Sequence, residues 1–110
     1  RFIDSTIAYQ HYGMGINLKL IRNINNYLLK NININFTFLN TVNRENMKKR
    51  LIKRKNLNRY DKFTNIFYHK VQTGFLKILK TNPKKYMKID SNLDIKNNEK
   101  IILKKINDLI

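Results

Sequence analysis

Only two short segments of this chain read as β-strands, and helix-patterned sequence lies between and around them. From Ile32 to Leu39 apolar and polar residues alternate and then give way to a continuous apolar run that ends near Asn40 and Thr41. Tyr86 to Asp90 is a shorter run with Pro83 before it and Ser91-Asn92 after it. Ile16, Leu20, Ile24, Tyr27 and Leu28 recur at three or four residues, which predicts a helix. Asn43 offers a cap for a second helix through Met47 and Leu51, with Asn46 where a reciprocal cap would place glutamate. Phe63, Phe67, Val71, Phe75, Ile78 and Leu79 form one long apolar stripe, and Ile95, Ile101, Ile102, Ile106 and Leu109 form another. Strands separated by helices pair in parallel through crossover connections. Two strands cannot make a stable parallel sheet alone, because such a sheet is buried on both faces and needs neighbours. The pattern therefore predicts an α/β architecture of two parallel strands with about five flanking helices, forming part of a larger domain.

Composition narrows the function. At 110 residues the chain is one domain at most. Its formal net charge of +16 invites a nucleic-acid reading. Lysine, isoleucine and asparagine are spread from end to end, however, so these charges are expected to be mostly solvated faces that favour anionic ligands such as phosphate. There is no cysteine, which excludes disulfides and thiolate metal sites, and His11 and His69 lie too far apart in sequence to suggest a metal site. No apolar run approaches the ~20 residues of a membrane span, and nothing reads as a signal peptide. A cytoplasmic protein is the default expectation.

Two segments carry candidate chemistry. The opening Arg1-Phe2-Ile3-Asp4-Ser5-Thr6-Ile7-Ala8-Tyr9-Gln10 crowds an arginine, two hydroxyls, a tyrosine and a glutamine together, then runs through Gly13-Met14-Gly15. Such density suits a pocket for a small, phosphorylated, aromatic ligand, since unpaired polar edges cost free energy on either side. Tyr9 lies one turn beyond Ser5 on the same face. The second segment is the basic stretch Lys48 to Asp61, in which Arg54 and Arg59 flank Asn56-Leu57-Asn58. If those intervening residues form a loop, both guanidinium groups can turn towards one anion.

In order along the chain, four blocks resemble the C-terminal half of the thymidylate kinases, nucleoside-monophosphate kinases of the P-loop class. Arg1-Phe2, Ser5 and Ala8-Tyr9-Gln10 are similar to the family's Asp-Arg-Tyr/Phe motif and the Ala-Tyr-Gln helix after it. Phe36 to Leu39 resembles the penultimate strand, and Arg54 to Asp61 the Arg-Gly-Glu-Leu-Asp-Arg-x-Glu lid. Phe67-x3-Val71-x2-Gly74-Phe75-Leu76 followed by Ile89-Asp90-Ser91 resembles the late helix and last strand. There are departures too. Lys55 replaces the lid glycine, Asn58 the lid aspartate and Asn40 an aspartate at the strand end. His11 and Met14 replace a glycine and an arginine of the family's Gly-Tyr-Gly-Arg-Gly stretch, and no GxxxxGK[ST] loop is present.

The resemblance implies transfer of the γ-phosphate of ATP to dTMP, giving dTDP, with Mg²⁺ accompanying ATP and held mostly by residues outside this chain. By the same resemblance residues 1–30 contribute the monophosphate-binding helix, about 53–61 the lid, and 86–110 the last strand and helix. Arg1, Ser5, Thr6, Tyr9 and Gln10 would bind dTMP, with Arg1 holding its phosphate as a planar fork and the Tyr9 ring lying under the deoxyribose. Arg54 and Arg59 would be the catalytic lid cations, and Lys53, Ser91 and Asn92 would face ATP. A homodimer is implied, with the apolar face of residues 16 to 29 as a contributor.

Plainer roles stand beside these. Arg1 is otherwise a surface arginine, Ser5 and Thr6 can serve as helix caps, and Tyr9 as core. Gln10 can bond a ligand or a neighbouring backbone. The lid arginines can simply be a solvated basic helix end favourable to the dipole. Phe63, Phe67 and Phe75 are expected in the core and His69 on the exposed face of its helix. The missing phosphate loop is expected to mean a partial sequence, inactive by itself. Two other readings are a small basic nucleic-acid-binding protein using Lys48 to Arg59, and a remnant with no activity.

Overall fold

A computed structural model describes residues 3–53 and 65–110. The chain begins with α1 (Ile3–Thr6), which widens without a break into a π-helix (Ile7–Gly13). Then come α2 (Leu18–Leu28), β1 (Thr37–Thr41), α3 (Arg44–Lys53), α4 (Asn65–Thr81), a 3₁₀ turn (Pro83–Lys85), β2 (Tyr86–Asp90) and α5 (Ile95–Leu109). The two strands pair in parallel, in register from Thr37 opposite Tyr86 to Thr41 opposite Asp90. The crossover includes α3 and α4, as a parallel pair requires.

The helix starts follow from local side-chain chemistry. Asn17 Oδ1 accepts the Leu20 N–H at the head of α2, and Asn43 Oδ1 accepts the Asn46 N–H at the head of α3, the cap expected from sequence. Asp94 Oδ1 accepts from both Lys96 and Asn97 at the head of α5. Each satisfies amide donors that have no partner within the helix.

Two expectations shift. The first strand is not Ile32 to Leu39; the ladder starts at Thr37 and runs to Thr41. Its partner begins only at Tyr86, behind the Pro83–Lys85 turn, so residues ahead of Thr37 have no strand opposite them. Nor is the opening third one helix. The α1 and π-helix unit ends at Gly13, and α2 begins separately at Leu18. Between them stands Gly15 at φ +77°, a left-handed conformation that side-chain-bearing residues disfavour.

The core sits where α4 crosses the π-helix. Ala8, Val71 and Ile78 are buried there, with Ile7, Tyr9, Tyr12, Phe67, Phe75 and Tyr86 packed around them. The approach is close enough that a β-carbon on Gly74 would lie 2.7 Å from Cβ of Tyr12. Phe67 and Phe75 are thus in the packing as expected, His69 is exposed, and Phe63 lies outside the described residues. Much apolar surface stays uncovered: on α2 Leu20, Ile24, Tyr27 and Leu28 are all more than half exposed. No helix among the described residues is long and apolar enough to cross a membrane.

Candidate active site

The π-helix shapes the site. Its wider spiral is rare and recurs at functional positions. Its exit is held by main-chain bonds: the Ile16 N–H donates to the Gln10 carbonyl at 2.9 Å and the Met14 N–H to the Tyr9 carbonyl at 3.0 Å. His11 Nδ1 donates to the Ile16 carbonyl at 2.7 Å, so this ring nitrogen carries a proton. His11 is therefore a structural brace at the end of the turn.

Two cavities open beside this segment. The first, about 580 Å³, is lined by Ser5, Asp4 and Tyr9 on one side, by Thr37 to Asn40 of β1, and by Gln72, Phe75 and Tyr86. The second, about 460 Å³, lies between α3 and α4. It carries Arg44, Arg50, Tyr68 and His69 over an apolar floor of Met47, Leu51 and Val71. Tyr9, Gln72 and Phe75 line both. The Tyr9 ring is set by aromatic packing, tilted against Phe67 at 5.9 Å and edge-on to Phe75 at 6.3 Å between centroids.

Asp4 and Tyr86 brace the floor of the first cavity. The Tyr86 hydroxyl donates to Asp4 Oδ2 at 2.8 Å. Burial, then the bond to the carboxylate, pushes the phenol pKa well above its ordinary value.

The expected site residues separate into five groups. Ser5 and Tyr9 share a cavity, as their spacing implied. Thr6 is exposed, and neither Thr6 nor Gln10 lines either cavity; the Gln10 carbonyl is taken up by the π-helix exit. Ser91 and Asn92 follow β2 at the carboxyl end of the sheet, where ligands of open α/β folds bind. Lys53 is the exposed last residue of α3. Arg1, Arg54 and Arg59 lie outside the described residues.

Gln72, Arg44 and Arg50 were not anticipated. Tyr68, Gln72 and Phe75 are spaced four and three apart, which sets a polar amide on an aromatic helix face. That interruption is the signal that could have found Gln72.

Among the described residues no group of three or more His, Cys, Asp or Glu side chains could hold a metal ion.

The sequence model of the family described as thymidylate kinase matches residues 1–102. The chain belongs to the thymidylate kinase family. Among individual relatives, a thymidylate kinase from Exiguobacterium sp. is 35% identical over 95 residues, covering 86% of this chain and 45% of the relative. One from Sulfurihydrogenibium sp. is 36% identical over 103 residues, covering 94% and 50%. The crystal structure of thymidylate kinase from Ehrlichia chaffeensis superimposes with a TM-score of 0.59 at 32% identity, over 99% of this chain and 47% of that one. The fold is thus that of part of a P-loop kinase, as expected. The chain spans about half the length of the curated relatives it matches.

Proposed function

We propose that this chain is the portion of a dTMP kinase that holds the nucleoside monophosphate and carries the lid, in an enzyme that moves the γ-phosphoryl of ATP onto dTMP. The observation that carries the reading is the shared placement of Ser5 and Tyr9 on one cavity, in a chain of the thymidylate kinase family. Ser5 offers a short hydroxyl to the ligand, and the Tyr9 ring supplies a flat apolar surface for a sugar. Arg1 completes the dTMP set, gripping the phosphate in bidentate fashion.

Phosphoryl transfer is mostly positioning and electrostatics, so cations must meet the charge on the transferring group. Arg54 and Arg59 are the residues proposed for that role, in keeping with the lid block they resemble. Lys53, Ser91 and Asn92 lie on the ATP side. Mg²⁺ belongs to this reading as the companion of ATP. A second copy of the chain is the proposed partner of the exposed α2 face, and a cytoplasmic setting belongs to the same reading. The family assignment does not favour the nucleic-acid alternative. In addition, Arg50 of the basic stretch donates to a main-chain carbonyl.

The test is a coupled assay of the full-length protein carrying this sequence, with ATP and each nucleoside monophosphate in turn. The expected result is ADP release that depends on dTMP. Turnover with another monophosphate and none with dTMP overturns the proposal.

A further inference from the structure

The two cavities beside the π-helix carry opposite charge. Among the described residues, the one against β1 is lined by the Asp4 carboxylate and by no lysine, arginine or histidine. The one between α3 and α4 is the reverse: Arg44, Arg50 and His69 line it, and no aspartate or glutamate does. Its apolar floor of Met47, Leu51 and Val71 lowers the local polarity, and opposite charges attract more strongly in such surroundings. Arg50 is already fixed in place, because its Nη2 donates to the Ser91 carbonyl at 2.6 Å. A guanidinium has five N–H donors, so this bond leaves most of the group for a ligand. At about 460 Å³ the cavity has the size of sites that hold small organic molecules.

Tyr9, Gln72 and Phe75 line both cavities and so form the boundary between them. A nucleoside monophosphate is divided in the same way: its base and sugar are neutral, and its charge sits at one end. With the sugar on the Tyr9 ring, the base and the phosphate extend to opposite sides of that boundary. The Asp4 side repels a phosphate, and the Arg44 side attracts it.

We propose that the cavity between α3 and α4 receives the phosphate of the bound nucleoside monophosphate, with Arg44 and Arg50 as its ligands and the base in the cavity against β1. The proposal rests on the dTMP kinase reading and adds two phosphate-binding residues to those named for it. Guanidinium groups suit the task because each can offer two parallel N–H donors to two phosphate oxygens.

The test uses the full-length protein and compares the dissociation constants of dTMP and of thymidine, the same molecule without its phosphate. Equilibrium dialysis gives both for wild type, Arg44→Ala and Arg50→Lys. Arg44→Ala is the deciding variant, since Arg44 is the exposed first residue of α3 and lies outside the core. It is expected to narrow the preference for dTMP over thymidine by about ten- to a hundredfold, the effect of losing a hydrogen bond to a charged group. Arg50→Lys keeps the charge and loses the fork, so a smaller narrowing of about three- to tenfold is expected. An unchanged preference in either variant overturns the proposal, as does an equal loss of affinity for both ligands. A wild type that neither binds nor phosphorylates dTMP overturns the function itself, and this inference with it. A wild type active on dTMP whose variants keep its preference overturns this inference alone.

Discussion

The Tyr86 hydroxyl donates to the Asp4 carboxylate across 2.8 Å, so a single bond ties β2 to the short helix that presents Ser5. Tyr86→Phe removes it and is expected to cost about 1–2 kcal/mol, since the lost acceptor is charged. The pH dependence has a definite sign. The folded-state phenol pKa is raised, so its contribution to stability is complete below the ordinary value of about 10 and is lost as pH rises above it. Denaturant midpoints of wild type and Tyr86→Phe should therefore converge as pH climbs beyond about 10. A constant gap between the two curves would show that Tyr86 does not titrate in this way.

Gly74 is placed by contact, not by backbone conformation. Alanine there would normally favour a helix by up to about 1 kcal/mol. Its methyl carbon, however, would fall 2.7 Å from Cβ of Tyr12, an atom too near the backbone to swing aside. Overpacking of this kind costs about 1–3 kcal/mol, so Gly74→Ala is expected to be a net destabilisation. Gly15 makes the opposite case: no atom would meet an added β-carbon within 4 Å, yet φ is +77°. Gly15→Ala should lose about 1–2 kcal/mol through backbone strain alone. Thermal melts of the two variants measure both.

The proposed sugar contact of Tyr9 carries a prediction about substrate choice. Tyr9→Ala is expected to narrow the kcat/KM preference for dTMP over its ribonucleotide counterpart by about ten- to a hundredfold, the span that pocket shape controls. Tyr9→Phe should keep that preference, because the ring and its packing against Phe67 and Phe75 remain. Parallel assays on the two nucleotides give the ratio. Equal preference in all three proteins would remove Tyr9 from the sugar site.

For the lid, Arg59→Ala is expected to lower kcat by about 10²- to 10³-fold with a much smaller effect on the KM for dTMP, the signature of a contact made in the transition state. Arg54→Ala should follow the same pattern. Single-turnover rates in the full-length protein provide the measurement, and a change confined to KM would reassign both residues to ground-state binding.

Legibility in the sequence followed the range of the interaction. Asn43 as a cap and the run from Tyr86 to Asp90 are written in neighbouring residues, and both stand where expected. Apolar spacing likewise marked out the α4 stripe. The first strand was displaced because pairing, not alternation, decides where a ladder starts; Ile32 to Phe36 has no partner strand. The π-helix left no trace in the apolar period, since seven residues are too few to separate its pitch from that of an α-helix. On the candidate site, the spacing of Ser5 and Tyr9 placed both on one cavity. Arg44 and Arg50 reach their cavity only through the meeting of α3 and α4. The contact between Asn46 and Asn92 links residues far apart in the chain, and no local pattern announces it.

The register of the sheet also sets a schedule for synthesis on the ribosome. Every residue of β1 waits for a partner about fifty positions downstream, and elongation runs at roughly 5–20 residues per second. For several seconds, then, Thr37 to Thr41 lacks β2 along one edge. Such edges template the association of one nascent chain with another. Yield in a living cell should accordingly respond to translation speed and chaperone supply, even for variants whose finished fold is untouched.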